Sequence, residues 1–174
     1  MKRRTKAEES EIIYNAFSLM IKSGQKLAVA ESFTGGLIAS SLISIPGASA
    51  FMHEAVIAYS DDAKISRLGV QKETIRRSTA VSTDAAYEMA AALLLNGNAD
   101  IAVATTGYAG PTAPSEALLG DCYIAVGDKN HIHVFKHKFS GGRENIMRCG
   151  VLAALSSLAD LLMAKEAKEK KSAN

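Results

Sequence analysis

One segment, Leu27-Ala28-Val29-Ala30-Glu31-Ser32-Phe33-Thr34-Gly35-Gly36-Leu37, limits what this chain can fold into more than any other. Four apolar residues end abruptly in a charge and a hydroxyl, and two glycines follow before an apolar helical pattern starts at Leu37. That is the signature of a buried strand passing through a tight turn into a helix. The turn carries Ser32 where backbone N–H groups are about to be free, and those groups together with the helix dipole favour negative charge. A hydroxyl at that point is a helix cap, a phosphate contact or a nucleophile. For a serine before a helix, the cap is the ordinary role.

The other elements follow from local pattern. Thr5-Lys6-Ala7-Glu8 has capping-box spacing, and Ile12, Ile13, Ala16, Phe17 and Met20 share one helical face up to Gly24. A strand is expected at 27–31, a helix at 34–45 stopped by Pro46-Gly47, and a second strand at 50–59. Ser60-Asp61-Asp62 opens a short helix to Leu68, and 71–77 forms another helical turn or two. Ser82-Thr83-Asp84 caps a long helix to Leu95, closed by Asn96-Gly97-Asn98. After a strand at 101–104, segments 118–126 and 131–139 read as a hairpin turning at 127–130. Ser140-Gly141-Gly142-Arg143 opens the last helix, with a core face of Ile146, Val151, Leu155, Leu158 and Leu162. The tail 165–174 is expected to be frayed or disordered. Strands that alternate with helices and end in two adjacent strands predict a three-layer α/β/α sandwich, its mixed, mostly parallel sheet having about five strands. The 174 residues suit a single domain with a core at about 8–162.

Composition narrows the function classes. The net charge is +2, and the basic residues gather at the two ends, which argues against a nucleic-acid footprint. No window approaches an uninterrupted membrane span, and acidic residues follow the basic N-terminus where a secretory signal needs its apolar stretch. A cytoplasmic location is expected. Cys122 and Cys149 are too few and too far apart for a zinc or C-x-x-C site, so both are expected as reduced, buried thiols.

Candidate chemistry falls at the carboxyl ends of strands, where ligands bind in open α/β sheets. Ser32 follows the first strand. Tyr59 ends the second, with Lys64 a helical turn further on, Thr106-Gly107 follows the third, and Arg143 follows the last. No histidine accompanies Ser32, so a lysine or a tyrosinate is the base that a serine nucleophile would need. Lys64 near a helix N-terminus, if partly buried, would have a lowered pKa; the plainer alternative is an exposed lysine balanced by Asp61 and Asp62. Arg143 beside Gly141-Gly142 suits a phosphate or carboxylate, or is a surface residue near Glu144. His131, His133 and His137 share strand parity but lack a carboxylate or cysteine at ligand spacing, and read as a half-exposed strand face.

Taken in order, Ala30-Glu31-Ser32-Phe33-Thr34-Gly35-Gly36, Pro46-Gly47-Ala48-Ser49-Ala50-Phe51, Tyr59-Ser60 with Lys64, Leu68-Gly69-Val70, Ala80-Val81-Ser82, Thr106-Gly107-Tyr108-Ala109-Gly110-Pro111 and Gly142-Arg143 resemble the C-terminal domain of the CinA competence/damage-inducible family. The resemblance covers roughly 8–162. It implies a nicotinamide mononucleotide deamidase that hydrolyses the carboxamide to give nicotinate mononucleotide and ammonia, needs no metal or cofactor, and works as a homo-oligomer. Larger family members carry an extra N-terminal domain, and this chain resembles the stand-alone form. Ser32 matches the family's nucleophile, with Tyr59 and Lys64 as the activating pair. Ser49, Thr106, Gly107 and Arg143 match substrate-contact positions, and N–H groups at Thr34, Gly35 and Gly36 are placed to hold the oxyanion. The chain departs from the pattern at Phe33, where a cysteine is usual, and at 112–120, which replaces a glycine-rich stretch and is expected to border the substrate. The alternative is a catalytically inactive nucleotide-binding or interaction module. A DNA-associated role has little support from the charge.

Overall fold

Thr5 and Glu8 close the expected capping box on α1 (Lys6–Ser23), and Gly24 ends it in the left-handed conformation. Ala16 and Met20 are fully buried, with Ile12, Ile13 and Phe17 packed around them. The computed structural model describes residues 5–96 and 98–172. In chain order α1 is followed by β1 (Leu27–Glu31), α2 (Leu37–Ile43), β2 (Met52–Ile57), α3 (Asp61–Leu68), α4 (Lys72–Ser78), α5 (Thr83–Asn96), β3 (Ile101–Gly107), β4 (Asp121–Asp128), β5 (Ile132–Lys138) and α6 (Arg143–Ser172).

The five strands form one sheet in the order β2-β1-β3-β4-β5. β1 runs parallel to β2 and β3, and β4 is antiparallel to both its neighbours. This is the mixed, mostly parallel sheet that the alternation implies. β1 lies in the middle and every one of its residues is buried. Its side chains alternate between two cores. Leu27 and Val29, with Ile101, Val103, Ile124 and Val126, meet α1, α2 and α6. Ala28 and Ala30, with Ala102, Ala104 and Ala125, meet α5. The run of alanines on that second face lets α5 sit close to the sheet, so Met89, Ala90 and Leu93 fill the remaining space.

Several expected boundaries move, each for a local reason. Residues 34–36 are a turn, not the first turn of α2: Gly35 and Gly36 have φ of 64° and 96°, and Gly35 N–H bonds to Ser32 O. Ala48–Ala50 forms a short 3-10 turn after Gly47, which delays β2 to Met52. Likewise 116–118 is a 3-10 turn, so β4 starts at Asp121 and runs through Asp128. Asp128 then accepts the N–H groups of Asn130 and His131, tightening the hairpin loop. Gly97, expected in the stop after α5, lies outside the described residues.

The tail is the larger correction. α6 continues to Ser172, so 165–172 is helical; residues 173 and 174 lie outside the described chain. Glu166 bonds Lys22 of α1 at 2.8 Å, Lys165 pairs with Asp128, and the Ala/Glu/Lys composition favours helix. α6 is also long and apolar enough to cross a membrane, because Arg148 and Asp160 are the two charges between 145 and 164. Half of that stretch is buried in the protein, with Ile146, Val151, Leu155, Leu158 and Leu162 at or below 4% exposure, as expected for a core helix.

α6 also accommodates the Phe33 ring. A Cβ on Gly150 would lie 2.3 Å from the Phe33 ring, so that ring fits only because position 150 has no side chain. Gly150→Ala should therefore destabilise the protein by about 1–3 kcal/mol through overpacking, although alanine is the better helix former by about 1 kcal/mol. With Phe33→Ala in place, Gly150→Ala should become neutral or stabilising. Denaturant midpoints of the four proteins in the cycle check this, and equal costs in both backgrounds would refute the contact.

Candidate active site

The parallel β1, β2 and β3 end at the same edge of the sheet, and their C-terminal loops enclose a cleft of about 490 Å³. That volume is typical for a small-molecule site. Ser32, Phe33, Tyr59, Asp61, Lys64 and Arg143 line it, along with Gly107 and residues 79–81. Ser32 is held by its own N–H to Thr105 O at 3.1 Å. Lys64 Nζ donates to Ser32 Oγ at 3.0 Å and, more weakly, to Tyr59 O at 3.4 Å.

Lys64 is 2% exposed. It reaches the serine because Ser60 caps α3 through Ala63 N–H at 3.1 Å, which places Lys64 in the first turn on the inward face. Burial holds its amine below the ordinary 10.5, and the Asp61 charge works in the opposite direction. A buried amine in contact with a hydroxyl, and depressed toward the neutral form, is what a general base for that hydroxyl requires. No histidine lines the cleft. Nor does a thiol compete: Cys122 is buried in the core, and burial, with the nearby Asp121 and Cys149 adding to it, pushes it up to about 12. Cys149 is half-buried rather than buried as expected.

Glu31 had no assigned role in the sequence. Its fully buried carboxyl accepts N–H from Gly36 at 3.0 Å, Ile38 at 3.1 Å and Ala39 at 2.9 Å. It therefore occupies the start of α2. This corrects the expectation that the Thr34-Gly35-Gly36 N–H groups hold an oxyanion: Gly36 is bonded to Glu31 and Gly35 to Ser32 O. Among the described residues, the N–H groups of Phe33 and Thr34 have no partner. Thr34 is fully buried, and an unpaired buried N–H calls for an explanation. A charged residue directly before the serine, six residues ahead of an uncapped helix, was the signal for Glu31.

The remaining expected residues divide. Gly107 lines the cleft, and a Cβ there would come within 2.5 Å of Cys122. Arg143, at the start of α6, donates to Gly110 O at 2.6 Å and to Tyr59 Oη at 2.9 Å. The Tyr59 phenol thus faces Arg143, and only its carbonyl meets Lys64. The Thr34 and Thr106 hydroxyls serve the protein itself, Thr34 with Thr105 at 2.8 Å and Thr106 with Ala80 O at 2.6 Å. Ser49 precedes β2, so it stands exposed at the opposite edge of the sheet and is not brought to the cleft of the same chain. The atypical 112–120 loop contributes Pro114 to the cleft wall. Thr79, another wall residue, has φ of 66°, a strained value for a β-branched residue.

Fold and site together define an α/β/α domain with a serine–lysine pair at the carboxyl edge of a mixed sheet. Residues 9–162 match the family model described as the CinA C-terminal domain, and the chain belongs to that family. It is 43% identical over 141 residues to a competence-damage inducible protein from Caldicellulosiruptor saccharolyticus, covering 80% of this chain and 34% of that one. A CinA-like protein from Fusobacterium nucleatum is 38% identical over 162 residues, covering 91% and 39%. The chain thus spans little more than a third of these relatives. Solved structures resemble it over nearly their whole length. A CinA superfamily protein from Klebsiella pneumoniae superposes with a TM-score of 0.85 at 31% identity, covering 90% of this chain and 98% of that one. The competence/damage inducible protein CihA from Agrobacterium tumefaciens gives 0.85 at 33%, covering 92% and 99%.

The buried amine has a stability consequence. Its folded pKa lies below 10.5, so between the two values the unfolded chain binds the proton that the folded one has lost. Stability from this group therefore rises with pH across that window and is lowest below it. Lys64→Met should raise the melting temperature near neutral pH by about 2–4 °C, equivalent to about 1 kcal/mol. The gain should shrink as pH approaches 10.5. A variant that melts lower than the parent at every pH would contradict the placement of a penalised amine here.

Proposed function

We propose that this domain is an amidohydrolase that deamidates nicotinamide mononucleotide through Ser32. The observation that carries the reading is the 3.0 Å contact between a buried, pKa-depressed Lys64 amine and the Ser32 hydroxyl in a cleft of small-molecule size. Family membership supports it. Neutral Lys64 takes the Ser32 proton as Oγ attacks the carboxamide carbon. The unpaired N–H group of Phe33, which lines the cleft next to the nucleophile, stabilises the oxyanion. Lys64 returns the proton to the leaving nitrogen, ammonia departs, and water hydrolyses the ester to give nicotinate mononucleotide. Arg143, with donors left beyond its two protein contacts, suits the 5′-phosphate. Tyr59, whose phenol accepts from Arg143, positions that arginine in this reading rather than taking a proton.

The test is ammonia release from nicotinamide mononucleotide by the purified protein. Ser32→Ala should lower kcat by at least about a thousandfold with the fold intact, as loss of a nucleophile does. Tyr59→Phe should raise KM while leaving the pH–rate profile in place. Turnover by Ser32→Ala would refute the serine mechanism. Nucleotide binding without ammonia release by the parent would move the domain to the non-catalytic binding class, with the 112–120 loop as the difference to examine.

A further inference from the structure

This inference rests on the proposed deamidase reading. The cleft presents charges of opposite sign on different walls. Arg143 stands at the start of α6, and its guanidinium is already engaged by Gly110 O and Tyr59 Oη. Asp61 stands at the first position of α3, lines the same cleft and is exposed. Among the described residues its carboxylate has no hydrogen bond or ion pair. It is one helical turn from Lys64, whose amine instead contacts Ser32 and the Tyr59 carbonyl.

A carboxylate in the first turn of a helix is ordinarily there to complement the helix dipole. Asp62 already does that from the next position and does not line the cleft. Placing a carboxylate in the cleft beside a base that must stay neutral works against the base, since its field favours the protonated amine. Such an arrangement makes sense if a bound cation offsets that field. A ring with a quaternary nitrogen, carrying its reacting carboxamide at Ser32, would bring such a cation into the cleft that Asp61 and Ser32 both line.

We propose that Asp61 is a specificity residue that reads the positive charge of the substrate's pyridinium ring. The cleft therefore selects an N-ribosylated pyridinium over an otherwise identical neutral ring. Binding of the cation also neutralises the Asp61 field at Lys64. The same contact that selects the substrate thus favours the neutral base.

The experiment measures binding of two probes to the full chain carrying Ser32→Ala, so that neither probe turns over. One probe is nicotinamide mononucleotide. The other is its dihydropyridine form, which keeps the ribose, phosphate and carboxamide but has a neutral ring. The oxidised form should bind about threefold or more tightly than the reduced form, with a preference that weakens as salt is added. Adding Asp61→Asn should bring the ratio of the two dissociation constants to within about twofold of unity, while Asp62→Asn should leave it unchanged. Equal binding of the two forms without the Asp61 change, or a preference that survives Asp61→Asn, would overturn this assignment and leave the deamidase reading standing. Failure of both probes to bind would overturn the deamidase reading and this assignment with it. Thermal melts of each variant separate loss of fold from loss of selectivity.

Discussion

The arrangement at the cleft depends on the buried carboxyl of Glu31. At the end of the central strand it accepts three N–H groups from the start of α2. A carboxyl there satisfies donors that a helix start would otherwise leave open and opposes the positive end of the helix dipole. It also dictates which donors remain. With Gly36, Ile38 and Ala39 engaged, and Gly35 turned back to Ser32 O, the unpaired N–H groups are those of Phe33 and Thr34, next to the serine. The strand–turn–helix unit is therefore a closed hydrogen-bond system with one deliberate opening. Thr34 locks it to β3 through Thr105, the same residue whose carbonyl holds the Ser32 N–H.

Lys64 completes the site from a different element, and its cost is visible. A buried amine with a hydroxyl and a weak carbonyl contact is poorly compensated. An amine kept in so costly a place fits the usual trade of stability against function. The strained Thr79 backbone in the cleft wall belongs to the same pattern. By contrast, the packing under the turn is accommodating: the Phe33 ring fits because Gly150 leaves room in α6.

Much of the architecture was legible in the chain. The Ser32 turn, the α1 capping box, the two faces of the strands and the single antiparallel strand all follow from period, caps and turn residues. The site was legible as a set of strand ends, since parallel strands bring their C-terminal loops to one edge. What the sequence could not show was where side chains point once there. Spacing alone favoured an exposed Lys64 balanced by Asp61 and Asp62, and only the packing of α3 places it in the cleft. Tyr59 offered a phenol to Lys64 on paper, but its carbonyl is what reaches the amine, because the ring turns toward Arg143. Glu31 read as a charged strand end, since a local pattern does not reveal that its carboxyl reaches the start of a helix six residues later. Ser49 carried a motif resemblance, yet the parallel crossing puts it at the far edge of the sheet. The tail after Lys165 has a helix-favouring composition, but its ion pairs with Lys22 and Asp128 come from distant parts of the chain that local pattern does not show.

The central claim is that Lys64 makes Ser32 a nucleophile. Covalent labelling by phenylmethanesulfonyl fluoride tests it without presuming a substrate. Intact mass and peptide mapping should show a single sulfonyl adduct on Ser32, formed at a rate that rises with pH as Lys64 loses its proton, below the ordinary lysine value. Lys64→Met should fold and fail to label. An unlabelled Ser32 in the parent, or labelling at an unchanged rate in Lys64→Met, would contradict the account.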